Sequence, residues 1–191
     1  MAWNGVEGEA LLERAARGDG QAFEMLIADY EKLIFTLAFR MLGNTQDARD
    51  ASQETLIKVY NNLHKCHDIR SFKSWVTTIT NHTCIDELRR RKGKRDESLN
   101  KIIEAGDSEF TPQFKSDGPG PEERLLSKER QEHIQRAINR LPVKYKQLIV
   151  LRDIGGLSYE ELAETAGLSM GTVKSRLSRA RIKLQQYLSG E

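Results

Sequence analysis

The placement of the prolines is the feature that most limits how this chain of 191 residues can fold. The four prolines lie at positions 112, 119, 121 and 142, so none falls in residues 1–111. Because proline removes a backbone donor and clashes inside a helix, its absence permits long unbroken helices in the first half. The run Gly118-Pro119-Gly120-Pro121 then predicts a break between two parts of the chain.

The first part has helical periodicity. Its apolar side chains recur every three or four residues, at Phe23, Leu26, Tyr30, Leu33, Leu37 and Met41. Gly43-Asn44 predicts the end of that helix, a second helix starts at Asn44 or Thr45, and a third runs from about Ser71 to Lys92. Period-two alternation is not evident. Residues 1–92 are therefore predicted to form an all-α domain.

A polar, acidic segment follows. Between Gly93 and Ser127 eight acidic residues stand against five basic ones, and glycine, serine and proline are frequent. Such a stretch is too long for an ordinary loop within one domain. We predict a flexible acidic linker over residues 93–121 and a second helical domain over residues 122–191.

The second domain contains two closely spaced helix starts. Ser158 and Glu161 have the spacing of a capping box, and Leu157 and Leu162 flank it as a hydrophobic staple. Ser169 repeats the arrangement eleven residues later, after Gly167, where a sharp turn needs a left-handed residue. Caps, staples and spacing together predict a helix-turn-helix.

The second helix of this motif has one apolar face and one basic face. Val173, Leu177 and Ala180 share the face predicted to be buried, whereas Met170–Leu184 carries five basic residues and no acidic one. Solvated helix faces usually mix charges, so this pattern favours contact with DNA. The predicted contact residues are Thr172, Lys174, Ser175, Arg176, Ser178, Arg179 and Arg181.

Motifs in both domains resemble those of one protein family. Leu141-Pro142, Leu157–Ala163 and Gly171–Arg181 resemble region 4 of the extracytoplasmic-function sigma factors of bacterial RNA polymerase. Gly18-Asp19, Arg40–Glu54 and Phe72–Arg90 resemble region 2 of the same family, in the same order, and SigW-like members fit best. The resemblance implies a cytoplasmic stress-response factor that binds core polymerase, directs initiation at promoters and assists DNA melting.

The resemblance also implies a role for each surface. The basic helix would read the −35 element, and its domain would contact the polymerase β flap. Residues on the second helix would bind the β′ clamp helices: Asp47, Asp50, Gln53 and Glu54. The −10 element would be bound by His64, Lys65, Asp68, Arg70, Lys73, Asn81, Arg89 and Arg90. An anti-sigma factor is the further expected partner. Trp75 shares a helical face with Phe72 and Ile79, so it is predicted to be buried rather than to wedge DNA open.

Three other classes of function compete with this interpretation. An enzyme is disfavoured because the chain lacks a glycine-rich phosphate loop and a His-Glu-x-x-His motif, so no cofactor or small-molecule substrate is expected. A duplex-binding regulator would share the helix-turn-helix, but the first domain has no βα alternation typical of a receiver domain. A metal or redox sensor is the third alternative, because histidine and cysteine are common metal ligands and several lie within residues 64–84: His64, Cys66, His67, His82 and Cys84.

His82 and Cys84 argue against that metal site, because residues two apart on a helix point about 200° from each other. The N-terminus lacks a basic-then-apolar signal, and no apolar run reaches the length of a membrane span. We therefore expect the chain to stay in the cytoplasm without inserting into a membrane.

Overall fold

The computed structural model describes residues 5–97 and 121–190, and the side chains of residues 6–92 and 128–190. The described residues form helices joined by short turns, without a strand, which confirms the predicted all-α fold of two helical domains. The helices are α1 (Gly5–Ala16), α2 (Gly20–Leu42), α3 (Thr45–Asn62), α4 (Ile69–Glu97), α5 (Pro121–Asn139), α6 (Val143–Ile149), α7 (Tyr159–Ala166) and α8 (Met170–Ser189).

The boundaries of the helices follow local capping chemistry. Asp19 begins α2 by accepting a hydrogen bond from the Ala22 amide at 3.1 Å, and Asn44 begins α3 by accepting one from the Asp47 amide at 3.0 Å. Gly43, with φ of 85°, ends α2 in the left-handed region, as predicted. Helix α4 continues beyond the predicted end at Lys92 to Glu97. Most of the predicted linker, residues 98–120, lies outside the described residues, and the exact domain limits stay predictions.

The first domain packs α1–α4 around aliphatic and aromatic side chains. Leu26, Ile34 and Phe72 are fully buried, and Tyr30 meets Phe72 edge to face with ring centroids 5.0 Å apart. Trp75 packs against the same cluster as its shared face with Phe72 predicts, but it is half-buried rather than buried. This packing holds α3 and α4 side by side, so each presents one outer face.

The second domain packs α5–α8 around a separate cluster. Leu148, Leu162, Val173 and Leu177 are buried in it, so the predicted apolar face of α8 is the buried one. Helix α6 ends at Ile149, and the chain continues directly into a π-helical turn over Val150–Ile154. That turn, together with Gly155 and Gly156, leads the chain into the helix-turn-helix.

Candidate nucleic-acid interface

The helix-turn-helix has the capping geometry that the sequence predicts. The Ser158 hydroxyl accepts from the Glu161 amide at 3.1 Å, and the Glu161 carboxylate accepts from the Ser158 amide at 2.7 Å. Gly167 ends α7 with φ of 62°, and Ser169 caps α8 by accepting from the Thr172 amide at 3.3 Å. The hydrogen bond from the Ser158 amide is the main reason that the pKa of Glu161 is lowered. The start of α8 is therefore fixed relative to α7.

We expect Ser158→Ala to destabilise the chain by about 1 kcal/mol, because the Glu161 amide loses its capping oxygen. Equilibrium urea unfolding followed by circular dichroism measures the change. Ser189→Ala is the matched control, since its exposed hydroxyl only donates to the Gln185 carbonyl at the end of α8. An unchanged unfolding midpoint for Ser158→Ala would mean that the capping box contributes nothing to stability.

The predicted recognition face of α8 points outward. Lys174, Ser175, Ser178 and Arg179 are exposed, and Thr172 and Arg176 are half-buried at the edge of the face. The small side chains near the start of α8 leave room for close approach to a groove, and the arginines supply planar donor groups. Such a face can approach the groove of a DNA duplex.

Arg181, the last residue predicted on this face, is already engaged. Its guanidinium donates to the Asp153 carboxylate at 2.7 Å, and that hydrogen bond raises the pKa of Arg181. Both side chains are about half exposed, so the pair is weak and can exchange for a phosphate. Arg176 and Arg179 are the stronger candidates for base contacts, because no carboxylate pairs with them among the described side chains.

Helix α3 carries the residues predicted to bind polymerase. Asp50, Gln53 and Glu54 lie exposed on one face, with Glu54 paired to Lys58 at 2.7 Å. Asp47 is different: it is half-buried and forms an ion pair with Arg91 of α4. Asp47 therefore has a structural partner in the free chain, whereas the other three are presented to solvent.

An apolar residue that sequence reasoning missed lies on the same face. Ile57 is 61% exposed and follows Asp50, Gln53 and Glu54 at helical spacing. Beside this face, α2 and α3 border a groove of about 290 Å³ lined by Glu31, Ile34, Phe35, Arg49, Ser52, Gln53 and Leu56. The signal in the sequence was the spacing of Ile57, which places it outside the buried stripe of Ala51, Thr55 and Val59.

Most residues predicted to bind the −10 element are accessible. His64, Lys65, Arg70, Lys73, Arg89 and Arg90 are exposed. Asp68 begins α4, and its carboxylate accepts from both the Arg70 amide and guanidinium, at 2.8–3.1 Å. The hydrogen bond from Arg70 is the main cause of the lowered pKa of Asp68. This fork holds the exposed Arg70 side chain in the first turn of α4.

Asn81 is the exception among these residues, because only 2% of it is exposed. Its side-chain nitrogen and oxygen both lack a hydrogen-bond partner among the described residues. A buried amide without partners costs about 1–3 kcal/mol per unsatisfied group, so this environment is unfavourable for asparagine. The side chain predicted to read DNA is therefore not presented in this conformation.

The histidine and cysteine side chains considered as possible metal ligands do not form one cluster. Cys66 and Cys84 are both buried, whereas His64, His67 and His82 are exposed. Within residues 6–92 and 128–190, no group of three or more histidine, cysteine, aspartate and glutamate side chains is arranged to hold a metal ion. Burial raises the pKa of the Cys84 thiol to about 12, and burial also raises that of Cys66.

Both thiols of the folded chain should therefore react slowly with Ellman's reagent at neutral pH, since the thiolate is the reactive form. The rate is expected to be limited by opening of the fold, and both thiols should react at once in guanidinium chloride. Absorbance of the released thionitrobenzoate measures both rates. A rapid reaction of the native chain, or stoichiometric bound zinc that is lost on Cys66→Ser, would revive the sensor hypothesis.

None of the helices in the described ranges 5–97 and 121–190 is long and apolar enough to cross a membrane.

Comparison with known proteins places both domains in one family. The family model "Sigma-70 region 2" matches residues 26–94, and "Sigma-70, region 4" matches residues 131–184. The extracytoplasmic-function sigma factor SigW of Bacillus subtilis is 36% identical over 93% of this chain and 94% of its own. The sigma-E factor of Haemophilus influenzae is 32% identical over 94% of this chain and 94% of its own.

Solved structures have the same fold. The sigma factor RpoE in complex with the anti-sigma factor NepR from Bartonella quintana is similar with a TM-score of 0.69 and 24% identity. That similarity covers 87% of this chain and 96% of the solved one. CnrH in complex with the cytosolic domain of CnrY has a TM-score of 0.66, over 96% and 98% of the two chains. With both regions present in order and a relative above one-third identity along nearly the whole length, this chain belongs to the extracytoplasmic-function sigma factors of RNA polymerase.

Proposed function

We propose that this chain binds core RNA polymerase and directs initiation at promoters with specific −35 and −10 elements. The observation that carries the proposal is the separation of two exposed surfaces on one chain. The recognition face of α8 is basic and the outer face of α3 bears Asp50, Gln53 and Glu54. Two surfaces of opposite character, in separate domains, suit a factor that joins a polymerase to DNA.

The recognition helix α8 is assigned to the −35 element. Arginine forms bidentate hydrogen bonds with guanine in the major groove, and Arg179 is exposed on the outer face of the helix with Arg176 half-buried at the edge of that face. Lys174, Thr172, Ser175, Ser178 and Arg181 are assigned to phosphates or neighbouring bases. The same domain is proposed to contact the β flap.

Region 2 is assigned to the −10 element and to the β′ clamp helices. The turn around His64–Arg70 is suited to unstacked bases, which are read on their edges once they leave the duplex. Arg89 and Arg90 form ion pairs with Asp86 and Glu87 on α4 and remain exposed, so phosphates can compete for them. The chemistry of RNA synthesis belongs to the polymerase, and this chain is not assigned a catalytic role.

An anti-sigma factor is proposed as a further partner and the cytoplasm as the compartment. Family membership supports both, and RpoE and CnrH were solved with an anti-sigma factor and with a cytosolic partner domain, respectively.

The experiment that tests core binding is gel filtration of the full chain with purified bacterial core polymerase. Co-elution at a stoichiometry of one chain per polymerase is expected. A chain that elutes alone but binds duplex DNA tightly without polymerase would contradict the proposal and favour a duplex-binding regulator.

A further inference from the structure

Helix α1 precedes the segment that matches sigma-70 region 2, which begins at residue 26. Three side chains of α1 are buried: Leu11, Leu12 and Ala15. They share a hydrophobic cluster with three residues of the segment between α3 and the start of α4: Leu63, Cys66 and Ile69. Helix α1 is therefore in contact with the segment that is proposed to read unstacked bases of the −10 element.

Local hydrogen bonds hold the end of this segment, which we call the −10 turn (His64–Arg70), at the start of α4. The Asp68 carboxylate accepts from the Arg70 amide at 2.8 Å, as an N-cap side chain does. The Asp68 carbonyl accepts from the Ser71 amide at 3.1 Å and from the Ser71 hydroxyl at 2.8 Å. These bonds satisfy the second and third amides of α4, whereas the first amide, that of Ile69, requires another acceptor.

That acceptor comes from α1. The Glu9 carboxylate accepts a hydrogen bond from the Ile69 amide at 3.1 Å, across a separation of 60 residues in the sequence. An anion is favourable there, because the helix dipole gives the N-terminus of α4 a partial positive charge. The hydrogen bond with Asp68 is the main cause of the raised pKa of Arg70, and the charge of Glu9 contributes to it. Glu9 thus bonds to the backbone where the −10 turn enters α4 and lies near the exposed cation of that turn.

The orientation of the −10 turn matters for reading bases. An unstacked base is recognised by hydrogen bonds on its edges, so the groups that read it need to be held within about 0.5 Å of the required position. The side chains of the turn that point to solvent cannot hold it: His64, Lys65, His67 and Arg70. Apolar packing against α1 is non-directional, whereas a hydrogen bond fixes direction. Glu9 therefore supplies an orientation that packing alone does not.

We propose that Glu9 is a positioning residue for −10 recognition: its carboxylate caps α4 from α1 and fixes the −10 turn in the orientation that discriminates bases. This inference rests on the proposed function and adds a determinant of specificity that lies outside the region 2 match. Glu9 is not assigned a contact with DNA, because it acts through the backbone of the turn. Loss of the capping bond should relax the choice of base in the −10 element and leave recognition of the −35 element unchanged.

Base preference is measured with the full chain, bound to core polymerase, on a library of promoter fragments. The library derives from a fragment that holoenzyme selects from genomic DNA, with the −10 positions randomised in one pool and the −35 positions in another. Fragments retained in heparin-resistant complexes are sequenced. Glu9→Ala should lower the preference for the favoured base about 3- to 10-fold at one or two adjacent −10 positions, which corresponds to the loss of one capping hydrogen bond. The −35 preferences should stay as they are in the unsubstituted chain.

Two variants separate the hydrogen bond from the charge. Glu9→Gln keeps a side-chain oxygen that can accept from the Ile69 amide, so it should restore most of the −10 preference. Glu13→Ala removes one negative charge from an exposed position of α1, where it pairs with Arg17, and should behave like the unsubstituted chain. Unchanged −10 preferences for Glu9→Ala, an equal loss at −10 and −35 positions, or the same loss for Glu9→Gln would overturn the proposal. Absence of any −10 preference in the unsubstituted chain would instead contradict the proposed function.

A substitution of the donor tests whether Glu9 acts through the Ile69 amide. Ile69→Pro removes that amide hydrogen, and proline is well tolerated at the first position of a helix. In this background Glu9→Ala has no hydrogen bond to break, so it should leave the −10 preferences unchanged. Ile69→Val keeps the amide and trims the buried side chain, and in this matched background Glu9→Ala should retain its full effect. An equal effect of Glu9→Ala in both backgrounds would also overturn the proposal.

Discussion

Arg179→Ala should weaken −35 recognition by the polymerase holoenzyme by about 1–3 kcal/mol, or about 5- to 150-fold in affinity. Arg176→Ala should fall in the same range. Arg179 is exposed on the outer face of α8 and Arg176 is half-buried at its edge, and an alanine at either position removes a bidentate donor. The measurement is titration of holoenzyme on a promoter fragment selected from genomic DNA, with the −35 element intact or scrambled.

The scrambled fragment decides whether the loss concerns base recognition. A lost base contact lowers affinity for the intact element and leaves the scrambled one nearly unchanged, whereas a lost phosphate contact lowers both. Arg130→Ala, at an exposed arginine of α5, is the control for removal of one positive charge. An Arg179→Ala chain that binds both fragments like the unsubstituted chain would contradict the assignment of α8 to the −35 element.

The paired substitution Asp50→Ala, Glu54→Ala should weaken polymerase binding and leave DNA binding unchanged, which is the reverse of the effect expected for the two arginines. We expect affinity for core polymerase to fall by about 1–2 kcal/mol, or about 5- to 30-fold, because two exposed carboxylates are lost from one face of α3. Binding of the isolated −35 duplex by the chain should not change. Competition for core polymerase against a labelled unsubstituted chain measures the first quantity, and fluorescence anisotropy with duplex DNA measures the second.

Controls separate a local effect from misfolding. The pair Glu24→Ala, Glu129→Ala removes the same charge from exposed positions on α2 and α5 and should retain polymerase binding.

Adding Ile57→Ala to the Asp50 and Glu54 pair should weaken polymerase binding further, since this exposed isoleucine lies on the same face of α3. Equal losses of polymerase and DNA binding by the Asp50 and Glu54 pair would indicate misfolding, and no loss at all would exclude this face as the polymerase contact.

Local chemistry explains why the helix-turn-helix was predictable. Ser158, Glu161 and Gly167 interact with backbone groups only a few residues away. Their spacing in the sequence is therefore enough to predict where α7 begins and ends. The buried face of α8 was likewise predictable, because Val173, Leu177 and Ala180 repeat with the helical period. The exposed faces of these helices, to which the functional predictions refer, follow once the buried faces are known.

Contacts between distant segments were not predictable in this way. Asn81 is buried, Asp47 forms an ion pair with Arg91, and the buried Lys146 amine donates to the Met41 carbonyl. All three contacts depend on how helices that are distant in the sequence pack together. Val150 illustrates the reason: in the sequence it continues an apolar run, yet a π-helical turn rotates it out of its own domain. Periodicity at 3.6 residues per turn cannot anticipate that rotation.

The central claim is that one chain joins core polymerase to a promoter, and run-off transcription tests it most directly. Purified core polymerase, which lacks promoter specificity, is incubated with the full chain and genomic fragments that holoenzyme selection enriches. The account predicts discrete run-off transcripts that require this chain, and that disappear when either the −35 or the −10 element of the template is scrambled. Transcripts that do not depend on the chain, or no specific initiation on any fragment although the chain is folded, would contradict it.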